Sequence, residues 1–231
     1  MITEIKEEDI LDVVSEHEEK LRHYISLLSK ANEIARLTGP SDEEILWNDH
    51  LVDCAYALPM IPSKGRLIDV GTGGGLPGMV WAICRPDLEV TLLDSISRKC
   101  KLVEKMAIAL GLKNVNVVCS RSEDYSKDNR EKFDIASARA VCSAGILAEY
   151  LSPFIRVGGH AVAMKGPKVK EELSLIKDNK WRTLGFSVPA LTSYTLNDME
   201  RYLLVWTKKL PAQKGFPRRP GMAEKYPWYA R

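Results

Sequence analysis

The chain has 231 residues, 45% hydrophobic and 28% charged, with 33 Lys and Arg against 31 Asp and Glu for a formal net charge of +2. This is ordinary globular composition, at a length that suits one good-sized domain with appendages, and it excludes wholesale disorder or a histone-like polycation. No apolar run approaches the roughly 18 residues of a membrane span, and the start through Asp9 lacks the basic flank and apolar stretch of a signal peptide.

From about residue 7 to residue 30, Ile10, Val13, Val14, His17, Leu21, Tyr24 and Leu28 recur at helical spacing and predict one long amphipathic helix. Ser41-Asp-Glu-Glu44 has the form of a capping box and opens a second helix through Ile45, Leu46, His50, Leu51 and Cys54 to Leu58. Pro59 and Pro62 close this region, so residues 1–62 read as an N-terminal helical extension. Strands then alternate with helices: strands are expected at 66–70, 89–94, 115–119, 133–138 and 160–165, and helices at 77–84, 97–110, 143–151 and 168–179. Short, apolar, β-branched strands separated by helices indicate a parallel sheet covered on both faces. Two last strands, 185–195 and 201–207, are joined by a segment too short for a crossover helix and should form an antiparallel hairpin at the sheet edge. Five parallel strands finished by a hairpin is the order of a class I methyltransferase: an α/β, Rossmann-like, mostly parallel seven-stranded sheet with its last strand antiparallel. That domain spans 63–207, and the basic, proline-rich tail 208–231 has no periodicity.

Near-neutrality hides a gradient. Residues 1–62 carry 14 acids and 5 bases, and residues 208–231 carry 7 bases and 1 acid. One end is thus suited to a polyanion and the other is not. The five cysteines (Cys54, Cys84, Cys100, Cys119, Cys142) have neither zinc-ligand nor redox spacing. They suggest reduced, mostly buried thiols in a cytoplasmic protein without a metal.

The strongest local signal is Leu67-Ile-Asp-Val-Gly-Thr-Gly-Gly-Gly-Leu-Pro-Gly78, glycines placed directly after a strand and before a helix. Gly73, Gly75 and Gly78 formally match a dinucleotide fingerprint. Register argues against it: the first glycine after the strand is Gly71, and the third position then falls on Leu76. Asp69 would also set a carboxylate near a pyrophosphate. S-adenosylmethionine has no phosphate and carries an ammonium and a sulfonium, so Asp69, Gly71, Gly73 and Gly75 suit it better. Asp94 ends the second strand, where one carboxylate can serve two ribose hydroxyls; a helix N-cap is its structural alternative. Ser120-Arg-Ser-Glu-Asp124 follows the third strand, where Glu123 or a neighbouring backbone group can meet the adenine edge.

The acceptor decides which further residues are required. After the fourth strand stands Ser137-Ala-Arg-Ala-Val-Cys142, neither the Asn/Asp-Pro-Pro-aromatic loop of amine methylases nor a Pro-Cys nucleophile loop. Guanine N7 has an available lone pair and needs no general base, so catalysis reduces to alignment. Arg139, at the strand-end rim, could hold phosphate, the guanine or the cofactor, or serve only a salt bridge. The tail interleaves cations with aromatics from Lys208 to Tyr229, a composition that neutralises phosphates and stacks on unpaired bases. Its alternative is a solvated terminus. Lys208, Lys209, Lys214, Arg218 and Arg219 are its candidate RNA contacts, and Lys165, Lys168 and Lys170 extend the basic surface beside the fifth strand. Competing readings are an NAD-dependent oxidoreductase, which lacks an evident Tyr-x-x-x-Lys pair, an RNA-binding module without transfer activity, and a small-molecule methylase.

Asp69-Val-Gly-Thr-Gly-Gly-Gly-Leu-Pro-Gly78, Thr91-Leu-Leu-Asp-Ser95, Ser120-Arg-Ser-Glu-Asp124, Arg139-Ala140 and Lys165-Gly166 together resemble the bacterial small-subunit ribosomal RNA methyltransferase G family, also called glucose-inhibited division protein B. His50-Leu-Val-Asp53 resembles its His-x-x-Asp helix, and Phe216-Pro-Arg-Arg-Pro-Gly221 its basic C-terminal signature. The resemblance covers roughly residues 30–225. It implies methyl transfer from S-adenosylmethionine to N7 of a guanine in the 530 loop of 16S rRNA, guanine 527 in rRNA numbering, on naked rRNA or the small subunit. It also implies a cofactor site of Gly71, Leu76, Asp94, Ser95, Ile96, Ser122, Glu123 and Arg139, in a protein expected to be monomeric. The sequence departs from the family at Arg36-Leu-Thr38, where Asn-Leu-Thr is usual, and at Asp53-Cys54, where Asp-Ser is usual. His50 is open to either a packing or a catalytic role.

Overall fold

The computed structural model describes residues 7–230, with side chains from residue 10. Residues 1–6, part of the start read as no signal peptide, and Arg231 of the tail lie outside the described residues. Seven strands form one sheet: β1 (Gly65–Val70), β2 (Leu88–Asp94), β3 (Val115–Cys119), β4 (Phe133–Arg139), β5 (Ile155–Lys165), β6 (Ala190–Leu196) and β7 (Met199–Thr207). Their order is β3-β2-β1-β4-β5-β7-β6. The pairs from β3 through β5 are parallel, and β7 pairs antiparallel with both β5 and β6. The chain steps outward from β1 to β3 and then returns to β4 on the other side. That reversal opens a crevice at the carboxyl ends of β1 and β4, the place where open α/β sheets bind ligands.

Helices cover both faces. α1 (Glu7–Glu16) and α2 (Glu18–Ile34) replace the single helix expected from the periodicity, because the chain turns at His17. After α3 (Glu43–Ile45) the helix widens into a π-helical stretch, Leu46–Leu51, and continues as α4 (Val52–Ala55). Asp42, not Ser41, caps α3, its carboxylate accepting from the Ile45 N–H at 2.9 Å. Ser41 is used elsewhere: its Oγ accepts from Asn32 Nδ2 at 2.9 Å. Then come α5 (Gly78–Cys84), α6 (Ser97–Ala109), α7 (Ser122–Asp128), α8 (Ala144–Leu151) and α9 (Val169–Ser174). The expected helix over 168–179 is split, and a 3-10 segment, Asp178–Leu184, follows α9. The hairpin is tighter than expected: Asn197 and Asp198, at φ of 51° and 59°, turn β6 directly into β7, a two-residue geometry that matches sheet twist.

One face of the sheet packs on the N-terminal helices, with Leu21, Tyr24, Leu28, Leu51 and Cys54 in the same buried cluster as Met79, Trp81 and Leu92. Trp81 Nε1 donates to the Cys54 carbonyl at 2.9 Å. The extension is therefore continuous with the core and lies directly on the glycine loop. The opposite face holds α8, Trp181 and Trp206, together with Trp228 from the tail. The tail is ordered rather than a free terminus. It forms α10 (Met222–Lys225), and Trp228 donates to the Gly145 carbonyl at 2.7 Å. Among the described residues no helix is long and apolar enough to cross a membrane.

Candidate active site

The glycine loop is held by backbone and packing together. The N–H groups of Gly71 and Thr72 both donate to the Leu93 carbonyl at the end of β2, at 2.8 and 3.1 Å. Gly71 and Gly73 sit at φ of +71° and +57°, a left-handed region open to glycine at little steric cost. A Cβ on Gly73 would lie 2.9 Å from the Leu37 carbonyl oxygen. Tyr24 Oη donates to the Gly74 carbonyl at 3.0 Å, so α2 clamps the loop from outside. Asn32 carries this support to the next segment: its Oδ1 accepts from the N–H groups of Leu37 and Thr38 at 2.7 and 3.0 Å.

Two cavities flank this loop. One, of about 460 Å³, is walled by Leu37, His50, Asp53, Thr72, Tyr194 and Arg201. The other, of about 680 Å³, is walled by Ser95, Ile96, Ser122, Glu123, Tyr150 and Glu224. Both include Gly71, Asp94, Lys99, Arg139 and Ala140, so the two open onto one shared floor. An extended ligand with a nucleoside at one end and an amino-acid moiety at the other fits such a double cavity.

Asp94 stands at the junction. Its Oδ2 accepts from the Gly73 N–H at 3.0 Å and its Oδ1 from the Ile96 N–H at 2.9 Å. A carboxylate has about four lone-pair directions, so each oxygen keeps capacity for a ligand hydroxyl. Ser95, Ile96, Ser122 and Glu123 line the second cavity. Glu123 is buried and accepts from Ser122 Oγ at 3.1 Å. Gly71, Gly73 and Leu76 line the first cavity.

Two glycine-motif assignments need correction. Asp69 is fully buried and does not line either cavity. Its Oδ2 accepts from Thr72 Oγ1 at 2.7 Å and the Gly78 N–H at 3.1 Å, and its Oδ1 from Ser137 Oγ at 2.9 Å. Burial raises its pKa, and these donors restrain the rise. Asp69 thus braces the loop instead of facing a cationic ligand. Gly75 likewise points into packing, where a Cβ would meet Met79 at 3.1 Å and Tyr24 Oη at 3.2 Å.

Arg139 ends β4 and is followed by Ala140 at φ +55°, a strained turn for a non-glycine residue and of a kind that clusters at functional sites. One Nη donates to His50 Nδ1 at 3.1 Å and to Asp53 Oδ2 at 3.3 Å. Asp53 Oδ1 in turn accepts from Tyr194 Oη at 2.8 Å. Burial alone would lower the Arg139 pKa, but its neighbours, the Asp53 carboxylate among them, more than offset it, and the guanidinium stays charged. His50 is lowered by burial and then by Arg139, so its ring is neutral at pH 7. Because guanidinium only donates, Nδ1 must accept, which leaves the proton on Nε2. The π-helical stretch brings Asp49 and His50 to the cavity. Asp49, Tyr194, Arg201, Lys99, Thr72 and Gly74 were not found from the sequence; Tyr194 and Arg201 are register partners across β6 and β7, a pairing that no local pattern signals.

The basic residues expected at RNA divide into two groups. Lys208 is fully buried, its Nζ donating to the Ser152 carbonyl, Ser152 Oγ and the Leu184 carbonyl at 2.8, 2.6 and 2.9 Å. Burial lowers its pKa to about 7. Lys165 donates to the Cys142 carbonyl at 2.8 Å and pairs with Glu172 at 2.8 Å. Arg218 forks onto the buried Glu149, Nε to Oε1 at 2.9 Å and Nη2 to Oε2 at 2.6 Å. These three are engaged inside the protein and are not free phosphate contacts. Lys168, Lys209, Lys214 and Arg219 are exposed. Lys209 follows the end of β7 whose Thr207 pairs with His160, while the cavity lies at the other end, beside Lys165.

Sheet order and switch-point crevice define a class I methyltransferase fold. The same fold is seen in a solved variant of the 16S rRNA (adenine(1408)-N(1))-methyltransferase from Catenulisporales acidiphilia, at TM-score 0.52 and 16% identity over 71% of this chain and 93% of that one. A precorrin-6y C5,15-methyltransferase from Geobacter metallireducens matches at TM-score 0.50 and 12% identity, covering 76% of this chain and 92% of that one.

The family model for rRNA small subunit methyltransferase G (GidB) matches residues 17–202, and the chain belongs to this family. A ribosomal RNA small subunit methyltransferase G from Clostridium beijerinckii is 38% identical over 227 residues, 95% of each chain. The protein of that name from Pseudothermotoga lettingae is 38% identical over 209 residues, 90% of each chain.

Proposed function

We propose that the chain transfers the methyl group of S-adenosylmethionine to N7 of guanine 527 in the 530 loop of 16S rRNA. The observation that carries this reading is the state of the carboxylates in the first cavity. Asp49 accepts from Asn197, Asp53 from Arg139 and Tyr194, and Asp94 from two backbone N–H groups. Asp49 and Asp53 are committed to holding structure, Asp94 keeps its remaining lone pairs for ligand hydroxyls, and His50 is neutral and bonded to Arg139. Such a cleft aligns reactants and offers no poised base, which is what an acceptor with its own lone pair requires.

S-adenosylmethionine supplies an electrophilic methyl group on a sulfonium. Asp94 would hold its ribose hydroxyls, the glycine loop its amino-acid end, and Ser122 and Glu123 its base. Asp53 offsets the Arg139 charge, so this arginine does not add an uncompensated positive charge beside a sulfonium and a guanine that becomes cationic. Tyr194 fixes Asp53 from the hairpin side. Exposed Lys168, Lys214 and Arg219 would contact phosphate, a sequence-independent contribution that weakens with salt.

Purified protein, tritiated S-adenosylmethionine and small subunits from cells lacking the enzyme test the reading. Label should enter 16S rRNA, and an Arg139→Ala variant should lose most of it while keeping a folded thermal transition. Label in protein, or in neither component, would refute the reading.

A further inference from the structure

The tail occupies an unexpected place. Arg218 clamps one end onto Glu149, which accepts from its side chain and from its backbone N–H at 3.0 Å. A further Arg218 Nη donates to the Tyr226 carbonyl at 2.6 Å and closes the segment between them into a loop. The other end is fixed by Trp228, buried against Trp181 at 5.6 Å between ring centroids. Pro220, Gly221 and Glu224, which lie between the two anchors, line the second cavity together with Ser122 and Glu123. Glu224 Oε1 accepts from Tyr150 Oη at 2.5 Å, and Tyr150 is itself buried and lines that cavity.

We propose that the C-terminal segment is part of the cofactor site and that Glu224, held by Tyr150, is a specificity residue for a 6-aminopurine nucleoside. The inference rests on the nucleoside end of S-adenosylmethionine lying in this cavity, as in the reading above. Two carboxylates, the buried Glu123 and the more exposed Glu224, line this cavity. Ionised carboxylates only accept hydrogen bonds. A base edge presenting an exocyclic amine satisfies them, whereas a carbonyl at the same position sets oxygen against oxygen. Tyr150 uses its proton on Oε1, which leaves Oε2 as the available acceptor. The segment therefore does at its inner surface what its composition does not announce, while Arg219 and Lys225 remain exposed on it.

The test is calorimetric binding of S-adenosylhomocysteine and of its inosine counterpart to the full-length protein. The wild type should prefer the adenine compound by about tenfold or more, the effect of one charge-assisted hydrogen bond. Glu224→Gln, whose amide can donate to a carbonyl, should weaken the adenine compound about tenfold and leave the inosine compound unchanged or improved. Tyr150→Phe, which frees Glu224 without removing it, should give an intermediate loss of preference. Lys225→Gln, at an exposed cation of the same segment, should leave the preference intact. If Glu224→Gln keeps the wild-type preference, or weakens both compounds equally, the proposal is wrong while the proposed function stands. If the wild type binds neither compound, the proposed function fails and takes this inference with it.

Discussion

Asp94→Ala is the perturbation whose size follows most directly from the site. The carboxylate is largely buried and accepts from Gly73 and Ile96 in the ligand-free protein. With ligand bound it would add two hydroxyl donors. Hydrogen bonds to a charged group contribute about 1.5–3 kcal/mol each, so losing both costs about 3–6 kcal/mol. Water entering the space left by the side chain offsets part of this, which favours the lower end, about 3 kcal/mol, or roughly a hundredfold in affinity. Asp94→Asn keeps the shape and one acceptor oxygen, and should lose about tenfold. Calorimetric titration with S-adenosylhomocysteine measures both. Thermal unfolding of the ligand-free variants reports the separate loss of the loop anchor, about 1 kcal/mol per bond and a few degrees in Tm at this chain length. Affinity of Asp94→Ala within threefold of wild type would remove Asp94 from the ligand site and leave it only a loop anchor.

Other residues give independent expectations. Asp53→Ala leaves the largely buried Arg139 without its carboxylate and Tyr194 Oη without its acceptor; chemical denaturation should show a loss of about 3–5 kcal/mol. Asp53→Asn, which keeps an acceptor for Tyr194, should recover part of it, and a loss under 1 kcal/mol for the alanine variant would refute the buried-pair assignment. Lys208 gives a pH signature. Its folded pKa, about 7, lies below the unfolded value near 10.5, so above pH 7 the unfolded chain binds the extra proton and stability rises with pH. The slope is at most about 1.4 kcal/mol per pH unit from this group. Comparing wild type with Lys208→Met between pH 7 and 8.5 isolates it, because the Cys54, Cys84, Cys100 and Cys142 thiols, all pushed up by desolvation, oppose the trend in both proteins alike and only once unfolded thiols ionise. Equal slopes in the two proteins would show that Lys208 is protonated alike in both states.

The features legible in the sequence were those whose cause is local. A strand end, a glycine run and a helix start lie within a dozen residues, so Gly71 and Gly73 could be read as a ligand loop without the fold, and Asp94 as the end of the next strand; Leu76 entered only through the family resemblance. The hairpin was legible because five residues cannot cross a sheet. Asp69 sits in the same run, yet its role depends on Ser137, 68 residues away, and its carboxylate turns inward. The bond between Tyr194 and Asp53 spans 141 positions, beyond any pattern. The π-helical stretch is a packing solution of Leu46, Trp47 and Leu51 against the core, invisible to a 3.6-residue period. Lysine and arginine composition misled most. Lys208 and Arg218 look like surface cations until Ser152, Leu184 and Glu149 are brought beside them. The acid-rich first third and basic tail thus do not map simply onto faces away from and toward RNA. Part of the tail's charge holds the tail to Glu149 of α8, beside the second cavity.

The central claim is the atom and base that receive the methyl group. Methylation at guanine N7 makes the nucleotide labile to borohydride reduction and aniline scission, so small subunits from cells lacking the enzyme can be treated before and after incubation with protein and S-adenosylmethionine. The account predicts enzyme-dependent scission at one guanine of the 530 loop, absent with the Asp94→Ala protein. Methyl incorporation without scission there, or scission at a guanine elsewhere in 16S rRNA, would contradict it.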